Sequence, residues 1–182
     1  MPARAAIHAD AVRSLVLHWG EMGTRWGVNR TVSQVHALLY WSDEPLDADQ
    51  IAEALRVARS NVSTSLRELA SWKLVRVVHR IGERKDRFET TRDPWELVRT
   101  IVRERKRREF DPTVEVLRQC LADASIEQTP ASVQTRMRDT LHLMESVSKW
   151  SNEMAALPTP TLVRLLKLGG RIAKLIKPAP RP

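Results

Sequence analysis

The chain has 182 residues, a formal net charge of +8 and a pI near 10.4. That is enough for one domain, or one domain with appended helices, and its charge favours either a polyanionic partner or an anionic membrane surface. One cysteine, Cys120, excludes an intrachain disulfide and points to a reducing cytoplasm. The start lacks an apolar leader core and no run reaches transmembrane length. A soluble, cytoplasmic protein with no stable membrane association is expected.

Residues 1–7 read as a loose start. From 8 to 25, Val12, Leu15, Val16, Trp19 and Met22 recur at three- and four-residue steps, which predicts a helix. Gly20 and Gly23 lie inside it, and either admit a close neighbour or bend the helix. Gly27, after Trp26, sits where a C-cap belongs. A second helix is predicted over 31–41, with Val32, Val35, Leu38 and Leu39 inward and Trp41 assigned to the core. Ser42-Asp43-Glu44-Pro45 stops it.

A short helix follows over 47–55, with Asp47 as N-cap and Gln50 as its capping-box partner. Arg56-Val57-Ala58 makes a turn plugged by Val57. The next helix, 59–72, turns Val62, Leu66 and Leu69 to one side. Its other side carries Ser60, Asn61, Thr64 and Arg67, with Ser63 on the flank. Short hydrogen-bonding groups with one long cation, and nothing apolar, suit entry into a DNA major groove. Residues 74–80 alternate and are β-branched, 81–86 form a charged turn, and 87–90 read as a return strand. Two helices plus a β-hairpin make a winged helix-turn-helix.

This block resembles the MarR superfamily of bacterial regulators, and especially its GbsR-like branch. The resemblance rests on an ordered set of short motifs. These are Trp26-Gly27, Ser42-Asp43-Glu44-Pro45-Leu46, Ile51-Ala52-Glu53-Ala54-Leu55, Asn61-Val62-Ser63, Leu66-Arg67-Glu68-Leu69, Trp72, Leu74-Val75 and Gly82-Glu83-Arg84-Lys85-Asp86. It covers about residues 15–95 and is thin beyond. It implies a homodimer to which the first helix contributes, a double-stranded DNA partner, and repression. Two positions depart from the pattern: Ala58 where Ser or Thr usually caps the recognition helix, and Lys73 where glycine usually ends it. The first departure leaves open a helix start shifted inward to Ser60, the second a turn rebuilt around Trp72.

After the hairpin, Asp93-Pro94-Trp95-Glu96 is a helix start with an Asp cap and Pro at the first helical position. That helix is predicted to run to Glu109 with Trp95, Val98, Ile101 and Val102 inward. Residues 103–108 hold five basic side chains and one glutamate, either a solvated last turn or a contact to flanking phosphates. Helices are expected over 111–124 and 131–157. The apolar stripe of the longer one (Val133, Met137, Leu141, Met144, Val147, Trp150, Met154) calls for a partner subunit. Residues 161–177 form a basic amphipathic stretch split by Gly169-Gly170, followed by a tail. It reads as a docked terminal helix, or as an accessory contact to DNA or membrane.

No catalytic constellation, metal-ligand spacing or phosphate loop occurs, so neither an enzyme nor a cofactor is expected. The six tryptophans (19, 26, 41, 72, 95, 150) read as core fillers. An aromatic ligand pocket is the alternative, and some members of the GbsR-like branch sense quaternary ammonium compounds.

The reading is therefore a mainly α chain with a small β-hairpin wing. Residues 1–28 form a dimerisation helix, 29–92 the winged helix-turn-helix, and 93–182 a helical dimerisation region with a basic tail. Ser60, Asn61, Ser63, Thr64 and Arg67 are assigned to the major groove, Arg59 to phosphate, and Arg84 and Lys85 to the neighbouring minor groove. Arg87 is placed with them or as a brace to Asp86. A pseudo-palindromic operator and a small-molecule effector complete the reading. The rival is a winged helix that serves as a protein–protein adaptor.

Overall fold

The structure, a computed structural model, describes the backbone of residues 10–82 and 84–175 and the side chains as far as Leu168. Residues 1–9, Glu83 of the wing and residues 176–182 therefore lie outside the described residues, and with them the expected loose start, the first two positions of the first predicted helix and the tail. The chain divides into two compact units, with the boundary between Glu104 and Arg105. The first helix and the helix after the wing thus belong to the same unit as the helix-turn-helix.

The first unit is built around α2 (Arg30–Tyr40), whose residues from Val32 to Leu39 are all buried. Asn29 starts it by accepting from the Thr31 N–H at 2.8 Å. Helix α1 (Asp10–Arg25) lies against it. A Cβ at Gly20 would stand 2.6 Å from Gln34 Cγ, and one at Gly23 only 1.9 Å from Ser33 Oγ. These glycines admit the neighbouring helix. Two-residue strand β1 (Leu46–Asp47) precedes α3 (Ala48–Leu55). The predicted capping box is present, with the Asp47 carboxylate accepting from the Asp49 and Gln50 N–H groups and Gln50 Oε1 accepting from the Asp47 N–H. Helix α4 (Arg59–Ser71) then buries Val62, Leu66 and Leu69 against Val35, Leu38 and Ile51.

Strands β2 (Arg76–Val78) and β3 (Arg87–Glu89) form the wing, but the sheet has a third member. The order is β1-β3-β2, all antiparallel, with Phe88 paired to Leu46 on one side and Val77 on the other. The expected hairpin is thus stitched to the strand that leads into α3. A buried polar contact fixes its base. Thr90 Oγ1 donates to the Leu74 carbonyl at 2.7 Å and lies 3.4 Å from His36 Nε2. Because that hydroxyl has one proton and gives it to Leu74, the His36 Nε2–H must donate to Thr90. Burial lowers the His36 pKa to about 4, which keeps the ring neutral near pH 7.

Helix α5 (Pro94–Arg105) begins as expected, with the Trp95 N–H bonded to Asp93 Oδ1 at 2.9 Å. Its inward face differs from the prediction. Leu97 and Glu104 are buried, whereas Val98 and Val102 are 53% and 47% exposed. Nor does the α-helix reach Glu109, since Lys106–Phe110 is a π-helical turn. Trp41 is also exposed, at 38%, and no tryptophan is buried, so the core is aliphatic rather than aromatic.

The second unit holds that π turn, α6 (Asp111–Ala122), a 3-10 turn (Ala124–Gln128), α7 (Ala131–Ala156) and α8 (Thr159–Leu175). Helices α6 and α7 pack together and are joined by Arg118 Nη2 to Glu145 Oε1 at 2.7 Å. Cys120 is a free, exposed thiol. Helix α8 runs through Gly169-Gly170 without a break. No helix among the described residues is long and apolar enough to cross a membrane.

Candidate nucleic-acid interface

The site is set by how α4 is held. Its start lacks a side-chain cap, since Ala58 supplies only its carbonyl, which accepts from the Asn61 and Val62 N–H groups. Ser60 does not shift the start inward, because the helix begins at Arg59. The missing cap costs about 1 kcal/mol. At the other end Lys73 takes the left-handed conformation, φ 56°, that glycine would supply more cheaply. The Leu74 N–H reaches back to the Leu69 carbonyl at 3.0 Å, so the expected stop forms at Lys73 and is not rebuilt around Trp72. Lys73 Nζ then lies 3.0 Å from Oε1 of the buried Glu104. That pairing gives a long cation a reason to stand where glycine would be cheaper.

With α4 fixed at both ends, its outer face is Arg59, Ser60, Asn61, Thr64 and Arg67, all exposed, with Ser63 half-buried beside them. A cleft of about 500 Å³ opens between this helix and the wing. It gathers Arg59, Ser63 and Arg67 from α4 and Arg84 and Lys85 from the wing over an apolar floor of Leu66, Val77 and Phe88. Ser60, Asn61 and Thr64 are not part of its lining. Thr64 Oγ1 instead accepts from Arg67 Nη2 at 3.2 Å and steadies that guanidinium along its own helix.

Arg87 points elsewhere. Its Nη1 donates to the Pro45 carbonyl at 3.1 Å and lies 3.5 Å from Gln50 Oε1, bracing the wing against β1 and α3. Asp86, the partner considered for it, lies 3.5 Å from His79 Nδ1. Lower on the sheet, Arg76 pairs with Glu89 and Arg80 with Glu44. Gly82, φ 85°, turns the tip.

One participant escaped the sequence reading. Asp49, in the first turn of α3, accepts from Arg59 Nε at 2.5 Å and from Lys85 Nζ at 2.8 Å. The bonds from Lys85 and then Arg59 hold its carboxyl below the usual carboxylate range, and Asp49 in turn raises the Lys85 ammonium. In sequence it looked like an ordinary acid at a helix N-terminus. Only the tertiary fold brings the wing tip to it. Among the described residues no cluster of His, Cys, Asp or Glu is arranged to hold a metal ion.

No family model matches the chain, and no curated protein matches it in sequence. In fold it is similar to a solved transcriptional regulator, with a TM-score of 0.67 and 18% identity over 80% of this chain and 95% of that one. A point mutant of S. aureus MepR bound to an oligodeoxyribonucleotide aligns with a TM-score of 0.37 and 18% identity over 75% and 89% of the two chains. The first likeness, together with the helix-turn-helix and three-stranded wing, establishes a winged-helix fold.

Proposed function

We propose that this chain is a sequence-specific, double-stranded DNA-binding transcription regulator of the MarR type, within its GbsR-like branch, and that it works as a cytoplasmic homodimer. The observation that carries this is the convergence of Arg59, Arg67, Arg84 and Lys85 on one cleft between α4 and the wing. Phosphate neutralisation by such cations supplies affinity, and hydrogen-bonding groups on the groove-facing helix supply sequence preference. Asn61, Ser63 and Arg67 are the base readers in this scheme, with Ser60 and Thr64 on the same exposed face. Arg84 and Lys85 enter the adjoining minor groove, and Arg87 sets the angle of the wing. The GbsR-like assignment rests on the motifs of residues 26–86.

The dimer is supported by the second unit, where α7 has no buried residue and Trp150 is 61% exposed. A second copy covering that stripe pairs two groove-reading helices about a twofold axis, hence a pseudo-palindromic operator with half-sites about one helical turn apart. Repression follows from occluding a promoter, and a small effector that alters the spacing of the two lobes would release it. Selecting fragments of genomic DNA with the purified protein tests this. Enrichment of inverted repeats is expected, with Arg67→Ala relaxing base preference. Recovery of no duplex above background would favour a protein–protein adaptor instead.

A further inference from the structure

The cleft holds an acid in the position where its proposed ligand, DNA, would place its own. Asp49 is not the helix cap, which is Asp47, and its side chain is 47% exposed, so the core does not require it. Its two carboxylate oxygens are divided between the two elements proposed to touch DNA: Oδ1 takes Arg59 from α4, and Oδ2 takes Lys85 from the wing. A carboxylate held between two cations offers them the acceptors that two phosphate oxygens would.

We propose that Asp49 is an internal counter-anion, a positioning residue that holds Arg59 and Lys85 in the free protein and is exchanged for a backbone phosphate when duplex binds. This rests on the DNA-binding reading above. In the free protein the Asp49–Lys85 bond ties the wing tip to α3, and the Asp49–Arg59 bond ties the start of α4 to the same helix turn. Exchange frees Lys85 at the wing tip from α3, while Arg87 still braces the base of the wing, and leaves the carboxylate facing a polyanion, so every duplex, whatever its sequence, meets the same opposition. The three groups together carry one net positive charge, and removing the carboxylate charge leaves two.

Asp86 provides the control. It lines the same cleft but faces His79, so its neutralisation removes an equal charge without freeing Arg59 or Lys85. The test is the affinity of a random-sequence duplex, followed by fluorescence anisotropy across a salt series for wild type, Asp49→Asn and Asp86→Asn. Asp49→Asn is expected to bind about tenfold tighter near 50 mM salt, with a log–log salt slope steeper by about one. Asp86→Asn should gain less than about threefold, the share left to long-range charge alone. Equal or weaker binding by Asp49→Asn, or an equal gain in Asp86→Asn, overturns the exchange. If wild type and Asp49→Asn both lack salt-dependent duplex binding, the functional reading fails and the exchange fails with it.

Discussion

The two units use similar amphipathic helices to opposite ends. In the first, Val35, Ile51 and Val62 are completely buried, and three helices and a small sheet close over them. In the second, Val114 is the one buried residue among those described, while Leu143 and Trp150 on α7 and Leu166 on α8 are 62%, 61% and 65% exposed. Of the α7 stripe, Val133, Met137, Leu141, Met144 and Met154 are half-buried, while Val147 and Trp150 stay exposed, and apolar surface left in water is costly. The difference teaches that one apolar pattern can close a core while a similar one leaves a surface open. Periodicity alone does not separate them. What separates them is whether the chain supplies a second surface within reach.

Truncation is the strongest way to break this contrast. Ile51→Ala should cost roughly 3 to 4 kcal/mol of unfolding free energy, since the site is fully enclosed and a cavity adds to the lost transfer energy. Denaturant titration measures it, and a cost below about 1 kcal/mol would mean that the first core is loosely packed.

Acid is the next lever. The unfolded chain protonates His36 near its ordinary pKa of 6.5, whereas the folded protein holds it at about 4. The unfolded state therefore binds the proton first. Stability from this group is unaffected above pH 6.5 and is lost progressively from 6.5 down to 4, by about 3 kcal/mol in all. Comparing wild type with His36→Gln at pH 7 and pH 4 isolates that share, and the variant should show a flatter dependence. Identical pH dependence in the two would contradict the buried, neutral ring.

Trp150→Ala probes the other side of the comparison. It should leave thermal unfolding of the first unit nearly unchanged while weakening self-association by about tenfold or more, as loss of an aromatic anchor does. Analytical ultracentrifugation reads the association. A shift in stability with no change in association would place Trp150 in an intrachain role. The smallest effect belongs to Ala58→Ser, which restores a side-chain cap at the start of α4 and should stabilise by about 0.5 to 1 kcal/mol.

What could be read from the sequence was local. The Asp47–Gln50 capping box, the Asp93-Pro94 helix start and the inward triad Val62, Leu66 and Leu69 depend on residues within two turns of one another, and each stands where it was expected. Strand β1 was missed because it spans two residues after a proline and exists only through pairing with Phe88. The inward face of α5 was misassigned because Val98 and Val102 outweighed Glu104, a buried carboxylate that meets Lys73 more than thirty positions away. Tryptophan size suggested a core that the aliphatic residues of α2 had already filled. The candidate cleft was half legible. Its α4 and wing cations could be named one by one, but the bridge between them through Asp49, and the turning of Arg87 toward Pro45, arise only from contacts distant in sequence.

The claim that the cleft between α4 and the wing grips duplex DNA is tested most directly by the salt dependence of binding for wild type and Arg84→Ala. Arg84 lies exposed in the cleft lining at the wing, clear of the Asp49 bridge. A steep linear fall of log affinity with log salt is predicted for wild type, and a slope shallower by about one for Arg84→Ala, on specific and random duplexes alike. Slopes that coincide for the two proteins, or affinity that ignores salt, would contradict it.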